Sequence, residues 1–330
     1  MSKPTSISGK VALEYLKKFP NLPTRTLATK IYNENKQLFK TYDNIREIIK
    51  YYRGKSGERS RSKLGNKSFV DVKVRSHVMP ESHTKKVEVW KLPKANKKVL
   101  LLSDIHIPYH DVEAIKVALN EGKQQGIDTI YLNGDILDFF MLSFHEKNPK
   151  NRPSLRNEID MAREFFAYLR QEFPKATIYF KPGNHEYRLE RYLYIKAPEL
   201  LDCEEFKLEI LLGLAEFRII YISKRTKTYF GDLLVEHGDR IRGSGGVNPA
   251  RTLFTRYKRH AICGHFHRKS ENLEKVYDGE IVYTYSVACL CELEPEYFEV
   301  NNHSHGMAII EMDGDKFKVN NYSIQNGKVF

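Results

Sequence analysis

The 330-residue sequence has four cysteines, one tryptophan and no long apolar run. Without about 18 consecutive apolar residues, no membrane-spanning helix is expected. The opening MSKPTSISGK has a lysine but no apolar stretch and no small-residue cleavage site, so we expect no secretory signal. Cys203, Cys263, Cys289 and Cys291 lack the spacing of a zinc ribbon and predict free thiols in a reducing cytoplasm. Cys289 and Cys291 alternate along an expected strand, which points to a buried structural role. There is also no internal repeat and no Gly-rich phosphate loop of the GxxxxGKS type.

Charge is plentiful but uneven. Residues 1–98 hold 24 Lys/Arg against 8 Asp/Glu, a net of +16, whereas residues 99–330 hold 30 against 34, a net of −4. A basic segment joined to a near-neutral body points to a polyanionic partner, nucleic acid first. A merely solubilising surface is the alternative.

The basic third opens with three helical patterns. Lys10–Phe19 stops at Pro20; Thr24 is the expected cap of a second helix with Leu27, Ala28, Ile31 and Tyr32 on one face; a third runs from Tyr42 to Arg53 and ends at Gly54. A polar turn, NENKQ, separates the last two. This arrangement fits a helix-turn-helix domain over residues 1–54, with Arg46, Lys50 and Arg53 on the outer face of the third helix to meet phosphates or base edges. A helical cap packed on the rest of the chain is the other reading. Residues 55–68 read as a basic linker. Residues 69–330 read as one further domain, opening with expected strands at Phe69–Val78 and Lys86–Leu92.

From Lys98 strands and helices alternate: strands at Val99–Ser103, Thr129–Leu132 and Thr177–Phe180, helices at Val112–Gln125, Leu155–Phe173 and Tyr187–Ile195. Past Leu200 the texture is strands: Phe217–Ile222, Leu233–His237, Ala261–Cys263, Ile281–Ala288, Met307–Met312 and Phe317–Ile324. The expected fold class is α/β, two packed sheets flanked by helices, plus the small N-terminal helical domain.

Chemistry-bearing residues follow five of these strands. VLLLSDIH delivers Asp104 and His106, two residues apart, so that in extended chain both point to one side. TIYLNGDILD delivers Asp135 after Gly134, TIYFKPGNHE delivers Asn184 and His185, LLVEHGD delivers His237, and AICGHFH delivers His265 and His267. Ligands of open α/β sheets gather beyond the carboxyl ends of strands. A single such cluster is a weak signal; five in order point to a metal centre. Mixed carboxylate, imidazole and amide donors suit borderline divalent ions.

Together, Asp104-x-His106, Gly134-Asp135-x-x-Asp138, Gly183-Asn184-His185-Glu186, His237 and Gly264-His265-x-His267 resemble the motifs of the calcineurin-like metallophosphoesterase superfamily, in a form similar to bacterial and phage members. The resemblance covers residues 98–325 and implies a two-sheet sandwich with two divalent metals, manganese first, iron or zinc as alternatives. Carried over, it assigns Asp104, His106, Asp135 and His267 to one metal and Asp135, Asn184, His237 and His265 to the other. It makes His185 the acid or charge stabiliser for the leaving oxygen, and Asp138 or Glu186 a support for a ligand or for His185. His110, Arg188 and Arg191 are further candidates near the centre, the two arginines for phosphate. The stretch between Asp138 and Asn184 is longer than the family's usual spacing; it reads either as one wall of the cleft, with His145, Lys147 and Arg152 as candidate substrate contacts, or as a surface insertion with no role.

Three functions compete. The first is a nucleic-acid phosphodiesterase or nuclease, the second a phosphodiesterase or phosphatase on a small nucleotide, and the third a non-enzymatic DNA-binding regulator.

Overall fold

The computed structural model of the protein describes residues 6–55, 81–144, 154–241, 247–294 and 301–330. The expected strand at 69–78, nearly all of the expected linker, and His145, Lys147 and Arg152 lie outside these residues. The chain divides into two compact units, residues 1–84 and 85–330.

In the first unit, α1 (Ile7–Lys18), α2 (Thr24–Glu34) and α3 (Tyr42–Lys50) close around Leu16, Leu27, Ala28, Ile31, Ile45 and Ile49. Ser6 caps α1 by accepting from the Gly9 N–H at 3.1 Å, and Thr41 caps α3. Thr24 is not a cap: Pro23 holds that position and Thr24 begins the helix. The third helix stops at Lys50, and a wider turn follows over Tyr51–Lys55.

Arg53 corrects the sequence reading. It does not face outward. Its guanidinium donates to Thr24 Oγ1 at 2.8 Å, to the Leu22 carbonyl, and to the Pro20 carbonyl at 3.4 Å. The turn before α2 leaves carbonyls without helical partners, and a planar fork of donors satisfies several at once. Arg46 and Lys50 remain at the surface beside Asp43 and Glu47, at 3.7 and 2.5 Å.

The second unit is built on two sheets. The seven-stranded sheet runs β13-β12-β11-β2-β3-β4-β5 and the six-stranded sheet β1-β6-β7-β8-β10-β9. Their ranges are β1 Val89–Lys91, β2 Lys98–Leu102, β3 Thr129–Asn133, β4 Thr177–Lys181, β5 Ile219–Tyr221, β6 Lys227–Phe230, β7 Leu233–Glu236, β8 Ala261–Cys263, β9 Ser270–Lys275, β10 Ile281–Ser286, β11 His305–Asp313, β12 Lys316–Gln325 and β13 Lys328–Val329. Strands β2 to β5 are parallel, as are β7 and β8.

Alternation along β2 explains the layering. Val99 and Leu101 face the other sheet, packing with Tyr131, Tyr179, Phe230, Val235 and Ile262; Leu100 and Leu102 face the helices. Those helices are α4 (Val112–Gln124) and α5 (Leu155–Glu172), the latter burying Ile159, Ala162, Phe166 and Leu169. The long stretch after Asp138 thus supplies a core helix. Sequence reading missed the short or polar strands β6, β9 and β13 and the helix Pro249–Tyr257. No helix among the described residues is long and apolar enough to cross a membrane.

Candidate metal centre

The carboxyl ends of β2, β3, β4, β7 and β8 each stop one to three residues short of a candidate ligand. Asp104 and His106 converge, but not as extended chain. Their φ values are 56° and 53°, and Asp135, His265 and His267 are likewise left-handed at 53°, 69° and 53°. Such backbone in non-glycine residues costs about 1–3 kcal/mol each and persists only where the surroundings enforce it. Here the loops enforce it on one another: the Asp104 N–H donates to the Gly134 carbonyl at 3.1 Å and the His106 N–H to the Asp135 carbonyl at 2.9 Å. Gly134 has φ 85°, and a Cβ there would stand 2.6 Å from His237 Nδ1.

Glu186 ties the second and third motif loops together. Its buried carboxylate accepts four backbone N–H groups: Ile136 and Leu137 on Oε1 at 2.7 and 3.0 Å, Asp135 and Gly183 on Oε2 at 3.0 and 2.7 Å. Burial and the neighbouring Asp135 push its pKa up. The four donors leave neither oxygen room for a proton, so the ionised form is the one that holds the loops.

The ligand atoms face inward. Asp135 Oδ2 lies 3.0 Å from His237 Nε2, whose other nitrogen, Nδ1, is 2.8 Å from the Asn133 carbonyl. That carbonyl accepts a hydrogen bond from Nδ1–H, which keeps the proton on Nδ1 and leaves the Nε2 lone pair pointing at the centre. Asn184 Oδ1 is 3.1 Å from the same Nε2. Asp135, His237 and His265 can bring one ligand atom each within 4.8 Å of one another, as can Asp104, His106 and Asp135. His267 Nε2 completes the latter group, 3.4 Å from Asp104 Oδ1 and 3.1 Å from His106 Nε2.

These residues fit two cations. Asp104 Oδ1 is buried with no well-aligned hydrogen bond, only His267 Nε2 beside it at 3.4 Å, and two imidazole Nε2 atoms meet across 3.1 Å, where only one proton can stand. Burial opposes ionisation of Asp104, yet His267 and His237 hold it well below the usual carboxylate range. Asp135 behaves alike through His237 and His185. Burial likewise opposes a charge on His237, but Asp135 pushes it up to about 9. His265 falls to about 4 because burial and the nearby His237 outweigh the pull of Asp135, Asp104 and Asp239. Without metal, the carboxylates recruit protons onto imidazoles; a metal displaces such protons.

His185 stands beside this set. Its Nδ1 lies 2.9 Å from the Asp138 carbonyl and 3.3 Å from Asp138 Oδ2; its Nε2 lies 3.8 Å from Asp135 Oδ2. Burial opposes protonation, and the two carboxylates overcome it. Asp138 also meets His106 Nδ1 at 3.2 Å. Arg188 donates to the Asp138 carbonyl at 2.8 Å and stands 3.1 Å from His185 Nε2. Arg191 is not brought in; it lies over the Phe144 ring, 4.3 Å from its centroid. His110 makes none of these contacts, and its backbone bridges to Cys291.

Two neighbours escaped the sequence reading. Cys291 lies past the end of β10, and its Sγ sits 3.6 Å from His267 Nδ1. The ring of His303 lies 4.6 Å from that of His267. Both come from far along the chain and belong to no motif; only the folded arrangement brings them to His267.

The sequence model of the calcineurin-like phosphoesterases matches residues 97–269, more than half of the chain. The chain belongs to that family. Its curated relatives include the Gene 54 protein of Mycobacterium phage L5, 25% identical over 251 residues that span 71% of this chain and 96% of that protein. The Gene 54 protein of phage D29 is 24% identical over 253 residues, with the same coverage. Among solved structures, Vps29 of Entamoeba histolytica complexed with zinc is 12% identical over 71% of this chain and 96% of its own, at a TM-score of 0.37. Yfce, a phosphoesterase from E. coli, is 12% identical over 70% and 96%, at a TM-score of 0.34. The phosphoesterase assignment therefore rests on the family match together with the gathered donors.

Proposed function

We propose that the chain is a two-metal phosphodiesterase acting on nucleic acid. The observation that carries the chemistry is the convergence of Asp104, His106, Asp135, Asn184, His237, His265 and His267 from five strand ends, with Asp104 Oδ1 buried and without a well-aligned hydrogen bond. Asp104, His106, Asp135 and His267 would hold one divalent ion, and Asp135, Asn184, His237 and His265 the other. Manganese, iron and zinc all suit these donors. Bound there, such ions supply a water of lowered pKa and a clamp on the phosphoryl oxygens.

The remaining steps belong to the protein. His185 Nε2 accepts from Arg188 at 3.1 Å here; once Arg188 turns to a phosphate oxygen, that nitrogen takes a proton, favoured by Asp135 and Asp138, and delivers it to the leaving oxygen. Asp138 fixes the ring through Nδ1. Arg188, beside the same nitrogen, meets a phosphate oxygen and stabilises its charge. Polymer specificity is drawn from the net +16 of residues 1–98, where the three helices serve as a helix-turn-helix with Arg46 and Lys50 toward phosphate.

The test is turnover of single- and double-stranded DNA and RNA in manganese, beside bis(p-nitrophenyl) phosphate. The polymers should be cut, and His185→Ala should slow cutting by about 100-fold or more. Turnover of the small ester alone would sink the polymer reading. The net −4 of residues 99–330 favours that second reading, a small nucleotide substrate. A non-enzymatic regulator would be indifferent to His185→Ala.

A further inference from the structure

The acidic balance of the catalytic unit conceals one strongly basic stretch. Between Asp239 and Glu271 the chain has eight Lys/Arg and no Asp/Glu, whereas the rest of residues 99–330 holds 22 Lys/Arg against 34 Asp/Glu. A solubilising surface needs no such segregation by sign. This stretch also contains His265 and His267.

The fold puts six of these charges on or just after one helix and on the segment that follows His267. The helix Pro249–Tyr257 starts at Asn248, whose side chain accepts from the Arg251 N–H at 3.0 Å, and it buries Pro249, Ala250 and Leu253. Arg251, Arg256, Lys258 and Arg259 are left exposed. Lys258 lies over the Phe254 ring at 4.9 Å and Arg259 over the Tyr229 ring at 4.8 Å, which keeps both long side chains on this face. At the other end of the helix, the Ala250 N–H donates to Ser270 Oγ at 3.0 Å, and Arg268 Nη1 donates to the Val247 carbonyl at 3.1 Å. The start of the helix is therefore fastened to the segment just after His267. Arg268, Lys269, Asn301 and His303, with the carboxylate of Glu271 also at its wall, line a cleft of about 610 Å³ there, and the His303 ring lies 4.6 Å from that of His267.

We infer that this face is a track for the phosphate backbone of a nucleic acid, running from the cleft beside His267 along the helix Pro249–Tyr257, independent of residues 1–84. The helix rises roughly 13 Å, alongside several phosphates of a polymer carrying one charge per ~3.4 Å of strand. The inference rests on the nucleic-acid reading for its biological meaning, but binding tests it without catalysis.

The experiment uses the full chain in EDTA, a fluorescent 20-nucleotide single-stranded DNA, and anisotropy from low to moderate salt. Arg251→Gln, Lys258→Gln and Lys269→Gln are measured singly and combined, with melting curves to establish that each is folded. Each change should lower the slope of log K against log salt by about 0.7, and the triple variant should lower it by about 2. Slopes equal to wild type in the folded variants overturn the track, as does a wild-type protein that binds no nucleic acid or that binds only phosphatidylserine vesicles. If the variants lose slope while the wild type cuts no nucleic acid, the track stands and the reading of a nucleic-acid hydrolase falls. If the wild type cuts DNA and the variants keep their slope, the reverse holds.

Discussion

Glu186→Ala removes the acceptor for four backbone N–H groups in two loops that carry candidate ligands. Hydrogen bonds to a charged group contribute ~1.5–3 kcal/mol each, so four give a gross figure of roughly 6–12 kcal/mol. Desolvation of the carboxylate, which also pushes its pKa up, offsets several kcal/mol of this. A net loss of about 3–5 kcal/mol is expected. Glu186→Gln should not rescue it. Its oxygen can keep one pair of donors, but its NH2 then faces the other pair. Two buried N–H groups lose their acceptor at ~1–3 kcal/mol each, and about 2–6 kcal/mol is expected. The assay is urea unfolding of the metal-free protein followed by the fluorescence of Trp90, the single tryptophan, which packs 4.8 Å from Tyr179 and so reports on the catalytic unit. A midpoint for Glu186→Gln equal to wild type, at unchanged m-value, would refute the claim that this carboxylate holds the loops.

Glu158, buried on α5, accepts from the Phe139 N–H, and burial pushes its pKa up to about 8 from an ordinary 4.5. The folded state binds more protons than the unfolded between these values. Stability is therefore full below about pH 4.5 and falls with rising pH until about 8, by at most ~1.4 kcal/mol per unit. Glu158→Gln should flatten that part of the profile, measured by Trp90 unfolding at each pH; an unchanged slope counts against the assignment. Arg53→Ala should destabilise residues 6–55 by about 1–3 kcal/mol, read by amide hydrogen exchange, while leaving the salt slope of DNA binding alone. Arg46→Ala should instead lower that slope by about 1, and the opposite pattern would restore Arg53 to the outer face.

What was legible in the sequence follows from how directly a feature depends on local pattern. Strands β2, β3 and β4 are short apolar runs, and the polar residues after them can only lie at strand ends, so Asp104, Asp135 and Asn184 were readable there. The conformation of those ends was not. Left-handed Asp104 and His106 depend on bonds to the loop of Gly134 and Asp135, some 30 residues away. Arg53 was misplaced because charge predicts solvent, whereas carbonyls left free near Pro20 and Leu22 drew it inward. The role of Glu186 was open because a helix-start carboxylate and a loop tie look alike in sequence. The helix Pro249–Tyr257 carried a readable signal in Asn248-Pro249, a capping residue before a first-turn proline. Cys291 and His303 had none.

The central claim is a pair of divalent ions sharing Asp135. Anomalous diffraction from crystals grown with manganese tests it most directly. The account predicts two peaks about 3.5–4 Å apart, one reached by Asp104, His106 and His267, the other by Asn184, His237 and His265, with Asp135 touching both. A single peak, or peaks that Asp135 does not join, would contradict it.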